Sequence, residues 1–383
     1  MSENKYTQLK LIKPSFDSNV TDLIIELEKL RDRKLTGSTP PSIFFQLKSI
    51  FHTLESIGSS RIEGNNTTLA EYIETKINSE IAQGENIKEI KNIEKAMEFI
   101  EENIEHYSIN RMFLSEIHKM VVDGLTPAPN GEGDKNPGEY RNSNVAIAKS
   151  NHLPPEVFKV NEYMEELFDF INAEDSPKYD LLKTAIAHHR FVWIHPFGNG
   201  NGRTVRLLTY AMLVKQGFSI HVGRIINPTA VFCSNRDDYY NFLGKADLGT
   251  EVGLLEWCQY VLKGLKEEIE KIDKLLDYEY LKKEVLIPTL EFSLENKYIN
   301  KLEFQILKRT VEKAIIQAGD LDDIIKSKNA SEKSRQIKNL IEKKMLMPEK
   351  EGARKYSLRF DNNYLFRGIM QILNEKGFLP IKD

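Results

Sequence analysis

The stretch "FVWIHPFGNGNGRTVRLLTYAML", Phe191 to Leu213, decides how this chain is read. Its flanks carry apolar residues at helical spacing. Its middle, Gly198-Asn199-Gly200-Asn201-Gly202, is among the poorest helix-forming runs a sequence can hold. His195 stands before that run, and Arg203 and Arg206 stand after it. A glycine-rich turn that opens a helix presents backbone N–H groups with no helical acceptor, and the macrodipole adds partial positive charge there. The product is an anion site, with phosphate its commonest ligand. Glycine lets the backbone approach that anion closely. Two arginines three residues apart at a helix N-terminus oppose the dipole, which implies a polyanion to offset them. A neutral imidazole beside bound phosphate can take a proton from an attacking hydroxyl, a role worth ~10²–10⁴ in rate.

Other phosphate sites fit poorly. A P-loop needs GxxxxGK[ST] after a strand, and a dinucleotide fingerprint needs a preceding strand and a βαβ unit. A zinc set of His188, His189 and His195 lacks HExxH spacing and a nearby carboxylate.

Working outward, the 383 residues suffice for two or three domains, and 40% hydrophobic with 29% charged residues is ordinary for a globular protein. A net charge of −4 makes the whole chain no obvious nucleic-acid binder. "MSENKYTQLKLIK" lacks the apolar core of a signal peptide, and no apolar run approaches the ~18–20 residues of a membrane span. Cys233 and Cys258 are in no metal-ligand spacing. A reduced, cytoplasmic setting is expected.

Periodicity predicts a mostly α protein. Residues 39–73 read as two helices, entered at Thr39-Pro40-Pro41 and punctuated by Gly58 and Gly64. Residues 86–103, 111–124, 181–194 and 204–215 read as further helices, with Gly217 stopping the last. Residues 131–157 are loop-rich, and "NVAIAK", 144–149, reads as one strand of a hairpin. "RDDYYNFLGKADLG" and "GLLEWCQYVLKGLKEEIEKIDKLL" are helical patterns. Beyond them "EFQILKRTVEKAIIQAG", "DLDDIIKS" and "SEKSRQIKNLIEKKML" give three helical patterns, and "LMPEKEGARKYSLRF" alternates as a hairpin around Glu351-Gly352. That order is the order of a winged helix-turn-helix. From Lys326 to Arg359 there are 11 Lys or Arg against 4 Asp or Glu.

"HPFGNGNGRTVR", His195 to Arg206, closely resembles the Fic (Fido) signature HxFx[DE]GNGRxxR. "AHHRFVWIHPF" resembles the helix leading into it, "GEYRNSNVAIAKSNHLPPEV" the family's flap, and "DDYYNFLGKAD" the helix lining its nucleoside pocket. The resemblance implies a Fic/Fido helical core with a small β-hairpin flap, followed by an appended winged-helix domain. The expected organisation is an N-terminal helical region over 1–105, the Fic core over 106–276 and the winged helix over 285–383.

The activity implied by this resemblance is adenylylation, the transfer of AMP from ATP to a Ser, Thr or Tyr hydroxyl of a target protein. His195 would be the base. Asn199, Gly200, Asn201, Gly202, Arg203, Thr204, Val205 and Arg206 would hold the phosphates with magnesium. Phe197 would anchor the loop, Tyr240 and Asp247 would sit by the nucleoside, and Ile147, Ala148 and Lys149 would come from the flap. Two positions depart from the family pattern. The usual acid at the magnesium position is Asn199, an amide that coordinates without charge. The adenine-side position that is often Asn is Asp247. "SSRIEG", Ser59 to Gly64, resembles the family's inhibitory motif [ST]xxxE[GN]. Ser59 and Glu63 share one helix face, and Glu63 would pair with Arg206 and obstruct ATP, touching the nucleotide site itself. Relatives in the family imply a homodimer. Two readings stand beside this one. The chain could be a DNA-binding regulator with a sensing or inactive core, using Lys333, Arg335, Lys338, Lys343 and Lys344, or the winged helix could contact protein. Alternatively, the core could transfer another nucleotide such as UMP.

Overall fold

The computed structural model describes residues 8–32, 38–78, 84–147, 152–218, 225–326 and 330–379. The chain is mostly helical. Its α-helices are α1 (Asn19–Asp32), α2 (Pro41–Glu63), α3 (Leu69–Ile77), α4 (Glu85–Asn103), α5 (Arg111–Val122), α6 (Val160–Asn172), α7 (Asp180–Ile194), α8 (Asn201–Lys215), α9 (Thr229–Cys233), α10 (Arg236–Ala246) and α11 (Glu251–Leu275). Then come α12 (Tyr278–Leu281), a π-helical turn Lys282–Leu286, α13 (Ile287–Glu295), α14 (Lys301–Lys313), strand β1 (Ile315–Ile316), α15 (Ala330–Glu342), strands β2 (Leu346–Pro348) and β3 (Tyr356–Leu358), and α16 (Tyr364–Glu375). Two compact units divide the chain. The first comprises Met1–Lys34, His52–Thr67 and Gln83–Glu270, and the second Leu35–Phe51, Thr68–Ala82 and Lys271–Asp383.

The first unit is organised around α7 and α8. Both are buried on nearly every side, with 13 of 15 residues inaccessible in each, so they form the centre of the core and carry Arg190, Arg203 and Arg206 into it. Ile93, Met97 and Ile100 of α4, Leu114, Ile117 and Val121 of α5, and Met164 and Leu167 of α6 pack with them. Each such side chain contributes roughly 1.5–3 kcal/mol by leaving water. The break between α7 and α8 is therefore held in place by its own neighbours rather than hanging as a free loop.

The expectation of a break at Gly58 is corrected. Helix α2 runs through it without interruption, because a Cβ at 58 would meet Cys233 Sγ at 3.1 Å and Thr229 Cγ2 at 3.4 Å. The glycine marks a close helix crossing, not a turn. Gly64 does end the helix. Its φ is +108°, its N–H donates to the Arg61 carbonyl, and the Asn65 N–H donates to the Ser60 carbonyl. This pairing is a Schellman ending, which needs a residue without Cβ at Gly64.

In the second unit, β1, β3 and β2 form an antiparallel sheet in that order, with Leu346 opposite Leu358 and Pro348 opposite Tyr356. Ile306, Leu307, Leu340, Leu346, Leu358 and Ile369 are buried in this unit. Two sequence expectations change here. The tail of "EFQILKRTVEKAIIQAG" is strand β1, since α14 ends at Lys313. Within "DLDDIIKS", the described residues 320–326 supply only the end of a 3₁₀ turn, Ala318–Leu321, and a further turn. Helix α16 was not anticipated.

Candidate functional site

The site is built where α7 stops and α8 starts. His195 closes α7 in a left-handed conformation, φ 52°, ψ 62°, with its N–H on the Phe191 carbonyl. Gly200, φ 74°, opens α8. Between them the Asn201 amide bridges Phe197 in both directions, accepting from its N–H and donating to its carbonyl at 2.9 Å each. The Phe197 ring is fully buried and stacks on His118 at 3.8 Å between centroids, 3° from parallel. Asn201, Gly202 and Arg203 have no helical carbonyl four residues earlier, so their N–H groups form the positive end of α8.

His118 was not anticipated, because on amphipathic α5 it reads as a core position. Its hydrogen bonds fix its form. The Gly138 N–H donates to Nδ1 at 2.8 Å, so Nδ1 carries no proton and Nε2–H donates to the Asn199 carbonyl at 3.0 Å. Burial pushes this imidazole down to about 4, and Arg203 adds to the effect. Asp134 completes the clamp: its Oδ2 accepts the Asn199 N–H at 2.8 Å. A neutral histidine and a carboxylate thus grip the two sides of one loop residue.

Arg141 does the same for the catalytic candidate. Its N–H donates to the Pro196 carbonyl, its Nε to the His195 carbonyl at 2.9 Å, and its guanidinium to Ser143 and Pro155 carbonyls at 2.8 and 2.5 Å. One buried side chain therefore ties His195 to both ends of the segment expected to form the flap. Burial first, then Arg141, lowers the His195 pKa to about 4, against a weaker opposing pull from Glu63. The imidazole is neutral at pH 7, as a base must be.

Glu63 reaches this centre from α2. Its Oε1 lies 2.7 Å from Arg206 Nη2, while Arg206 Nε donates to Ser59 Oγ at 2.8 Å and Nη2 to the Ser59 carbonyl at 2.9 Å. A Cβ added at Gly202 would fall 2.0 Å from Glu63 Oε1. The carboxylate therefore lies against the first turn of α8, where an anion would lie. Burial pushes the Glu63 pKa up, but Arg206 and then Arg203 outweigh it and hold the carboxyl ionised. Arg203 is buried between two further acids not foreseen from sequence, with Nη1 2.9 Å from Glu89 and Nη2 3.2 Å from Glu132.

The remaining candidates divide. Tyr240 is 46% exposed on α10, under the Arg236 guanidinium. Asp247 ends α10 with Oδ1 2.9 Å from buried His189 Nε2. Thr204 is buried, and the Val205 side chain belongs to the hydrophobic core, so neither side chain is presented to a ligand. Residues 144–147, Ile147 included, form no strand, which corrects the hairpin expectation as far as it can be followed; Ala148 and Lys149 lie outside the described residues.

Asn199, the candidate magnesium ligand, already has its side chain engaged within the loop. Its Oδ1 accepts the Gly200 N–H at 2.8 Å and its Nδ2 donates to the Gly133 carbonyl at 3.2 Å. The one adjoining carboxylate, Asp134, already accepts from Asn199 and Asn136. Magnesium is held through carboxylates with open octahedral positions, and among the described residues no cluster of three His, Cys, Asp or Glu has metal-holding geometry. These side chains do not fit a resident magnesium.

Residues 108–213, which contain the whole helix–loop–helix centre, match the model of the Fic/DOC family. Over this segment the chain is similar to the Fic/DOC family. The chain is 28% identical over 245 residues to the Protein adenylyltransferase Fic of Nematostella vectensis, covering 60% of this chain and 51% of that one. It is 31% identical over 206 residues to the protein of that name from Culex quinquefasciatus, covering 52% and 37%. The chain thus spans about half or less of the length of these curated relatives. A Fic family protein from Desulfovibrio desulfuricans G20 shares the fold, with TM-score 0.56 and 19% identity over 92% of this chain and 98% of that one. Fic-1 from C. elegans does so with TM-score 0.53 and 22% identity over 66% and 71%.

Proposed function

We propose that the protein is an autoinhibited protein adenylyltransferase, which moves AMP from ATP to a Ser, Thr or Tyr hydroxyl of a target protein. The observation that carries this reading is a neutral His195 held at the entrance of the α8 anion nest, with Arg206 one turn inside it. His195 would take the proton of the target hydroxyl as its oxygen attacks the α-phosphorus. The bond to the β-phosphate bridging oxygen would break, and pyrophosphate would leave. Charge grows on the phosphate oxygens during this step, and the amides of Asn201 and Gly202 and the Arg206 guanidinium are fixed donors for it. A polyanion raises the basicity of a nearby imidazole, so nucleotide binding would lift the depressed His195 pKa toward its working range. Magnesium would arrive with the phosphates as part of the substrate.

In this resting state Glu63 occupies Arg206 and the mouth of the nest, which supports the inhibitory reading of Ser59–Gly64. A bidentate-capable Arg with a partly buried carboxylate makes a firm lock. Transfer of UMP is the alternative that Asp247 keeps open, because its carboxylate can accept from the amino group of adenine or from the N3–H of uracil.

A DNA-binding regulator is the second reading, and the winged-helix assignment of the last hundred residues remains part of it. It meets an electrostatic difficulty in the second unit. Arg335 faces Glu332 at 2.9 Å, Lys338 faces Glu342 at 3.8 Å, Lys343 faces Glu303 at 2.5 Å, and Lys333 pairs with Asp322. A phosphate backbone would have to compete with each acid. A contact with protein does not require these pairs to break, and the homodimer that the family resemblance implies is kept as part of the proposal. A reduced cytoplasmic setting fits Cys233 and Cys258, both free thiols.

The test is intact-mass analysis of the E63G variant after incubation with ATP, UTP or CTP and magnesium, repeated with lysate as a source of targets. An increment of one adenosine monophosphate supports the proposal. An increment from UTP instead, or none on any protein, contradicts it.

A further inference from the structure

The turn that ends α2 touches the nucleotide centre twice, and only the first touch involves Glu63. Two residues later, Asn65 is buried, and every group of its side chain has a partner. Its Oδ1 accepts the Thr67 N–H at 3.0 Å, which fixes the orientation of the amide. Its Nδ2 then donates to the Asn86 carbonyl at 2.9 Å and to Glu89 Oε2 at 2.7 Å. The other oxygen of Glu89 faces Arg203 Nη1 at 2.9 Å. Arg203 Nη2 donates to the Glu132 carbonyl at 2.6 Å. Arg203 Nη2 is thus bonded at Glu132, while Nη1 lies at ion-pair distance from Glu89 without a hydrogen bond between them, and the side chain is wholly buried.

Building on the adenylyltransferase reading, we propose that Asn65 and Glu89 form a second lock. Asn65 holds Glu89 against Arg203, so the docked α2 turn withholds both motif arginines from the nucleotide, Arg206 through Glu63 and Arg203 through Glu89. Asn65 and Glu89 act through Arg203 and are positioning residues. Glu63 and Asn65 flank Gly64 in the turn that ends α2, and each bears on a different arginine, so either lock can be removed separately by substitution. Burial keeps the Glu89 carboxyl above its ordinary range in spite of Arg203. The Asn65 amide is one of the donors that oppose this effect of burial.

The experiment is isothermal titration of ATP with magnesium into the full chain, comparing wild type, E63G, E63G/E89Q, E63G/N65A and N65A. The locks are independent, so E63G binds ATP more tightly than wild type. E63G/E89Q and E63G/N65A each bind more tightly again, by about tenfold, the factor given by roughly 1.4 kcal/mol for one charge-assisted contact. N65A alone gives a smaller gain, because Arg206 stays occupied. A merely structural role for Glu89 predicts the reverse, weaker binding in the double variants. Double variants that bind ATP as E63G does, or less tightly, overturn the second lock and leave the adenylyltransferase reading standing. An E63G protein that binds no ATP overturns both. If E89Q lowers the melting temperature so far that the protein does not survive titration, E63G/N65A decides the question by itself.

Discussion

Glu63 and Arg206, 143 residues apart in the chain, meet at 2.7 Å beside the first turn of α8. Neither residue is explained by packing alone. Arg206 is 1% exposed and would be costly to bury without an anion, and Glu63 sits where the α8 N-terminus would favour a phosphate.

Replacing Glu63 by glycine is therefore expected to have two opposite effects. Nucleotide affinity should rise by about tenfold or more, as one charge-assisted pair is removed from competition. Stability without nucleotide should fall by about 1–3 kcal/mol, because Arg206 keeps only its Ser59 bonds. Denaturant unfolding with and without ATP measures both. A variant that is less stable yet binds ATP no better would remove the inhibitory role.

The clamp beneath the loop gives a pH signature. His118 titrates at about 4 when folded and near ~6.5 unfolded. Between those values the unfolded chain binds more protons, so stability falls as pH drops from about 6.5 to about 4. The loss from this one group amounts to about 3 kcal/mol below pH 4. His188, His189 and His195 are lowered as well and add to the same window. The variant H118F keeps a ring for Phe197 to stack on but cannot titrate. Its unfolding free energy should depend less on pH across the window, by as much as ~1.4 kcal/mol per pH unit near pH 5. An unchanged slope would show that His118 is not the neutral clamp described.

Restoring the family's acid at position 199 should not be benign. In N199D a carboxylate would replace the amide that donates to the Gly131 and Gly133 carbonyls at 3.4 and 3.2 Å. It would also add charge near Asp134, whose Oδ2 is 2.8 Å from the backbone nitrogen of residue 199. The expected cost is about 1–3 kcal/mol, read as a lower melting temperature without metal and partly regained on adding magnesium with ATP. A variant as stable as wild type without metal would mean that the Asn199 amide is not committed to the loop.

The sequence carried the centre of this site because its chemistry is local. Gly200, Asn201, His195 and Arg206 lie within twelve residues, and the helices on either side announce themselves by periodicity. The supports were not legible for the same reason. His118, Asp134, Arg141 and Glu89 approach from other elements, and each has an ordinary local reading: a core histidine on α5, a turn aspartate before Asn136, a loop arginine, a face of α4. Gly58 was misread because a glycine that admits a neighbouring helix looks, in one dimension, like a glycine that ends one. The strand β1 was missed because Ile315-Ile316 continue the apolar pattern of α14, and only Ala314, at φ 64°, breaks the helix.

In the proposed adenylyltransferase, His195 would be the base in transfer from ATP once Glu63 is withdrawn. The most direct measurement is incorporation of α-labelled AMP into protein by E63G and by E63G/H195A, at pH 7 with magnesium and matched ATP occupancy. Robust labelling by E63G is expected, with labelling lower by about 10²–10⁴ when His195 is alanine and ATP binding retained; no labelling by E63G would contradict the proposed function. Equal labelling by the two variants would contradict it.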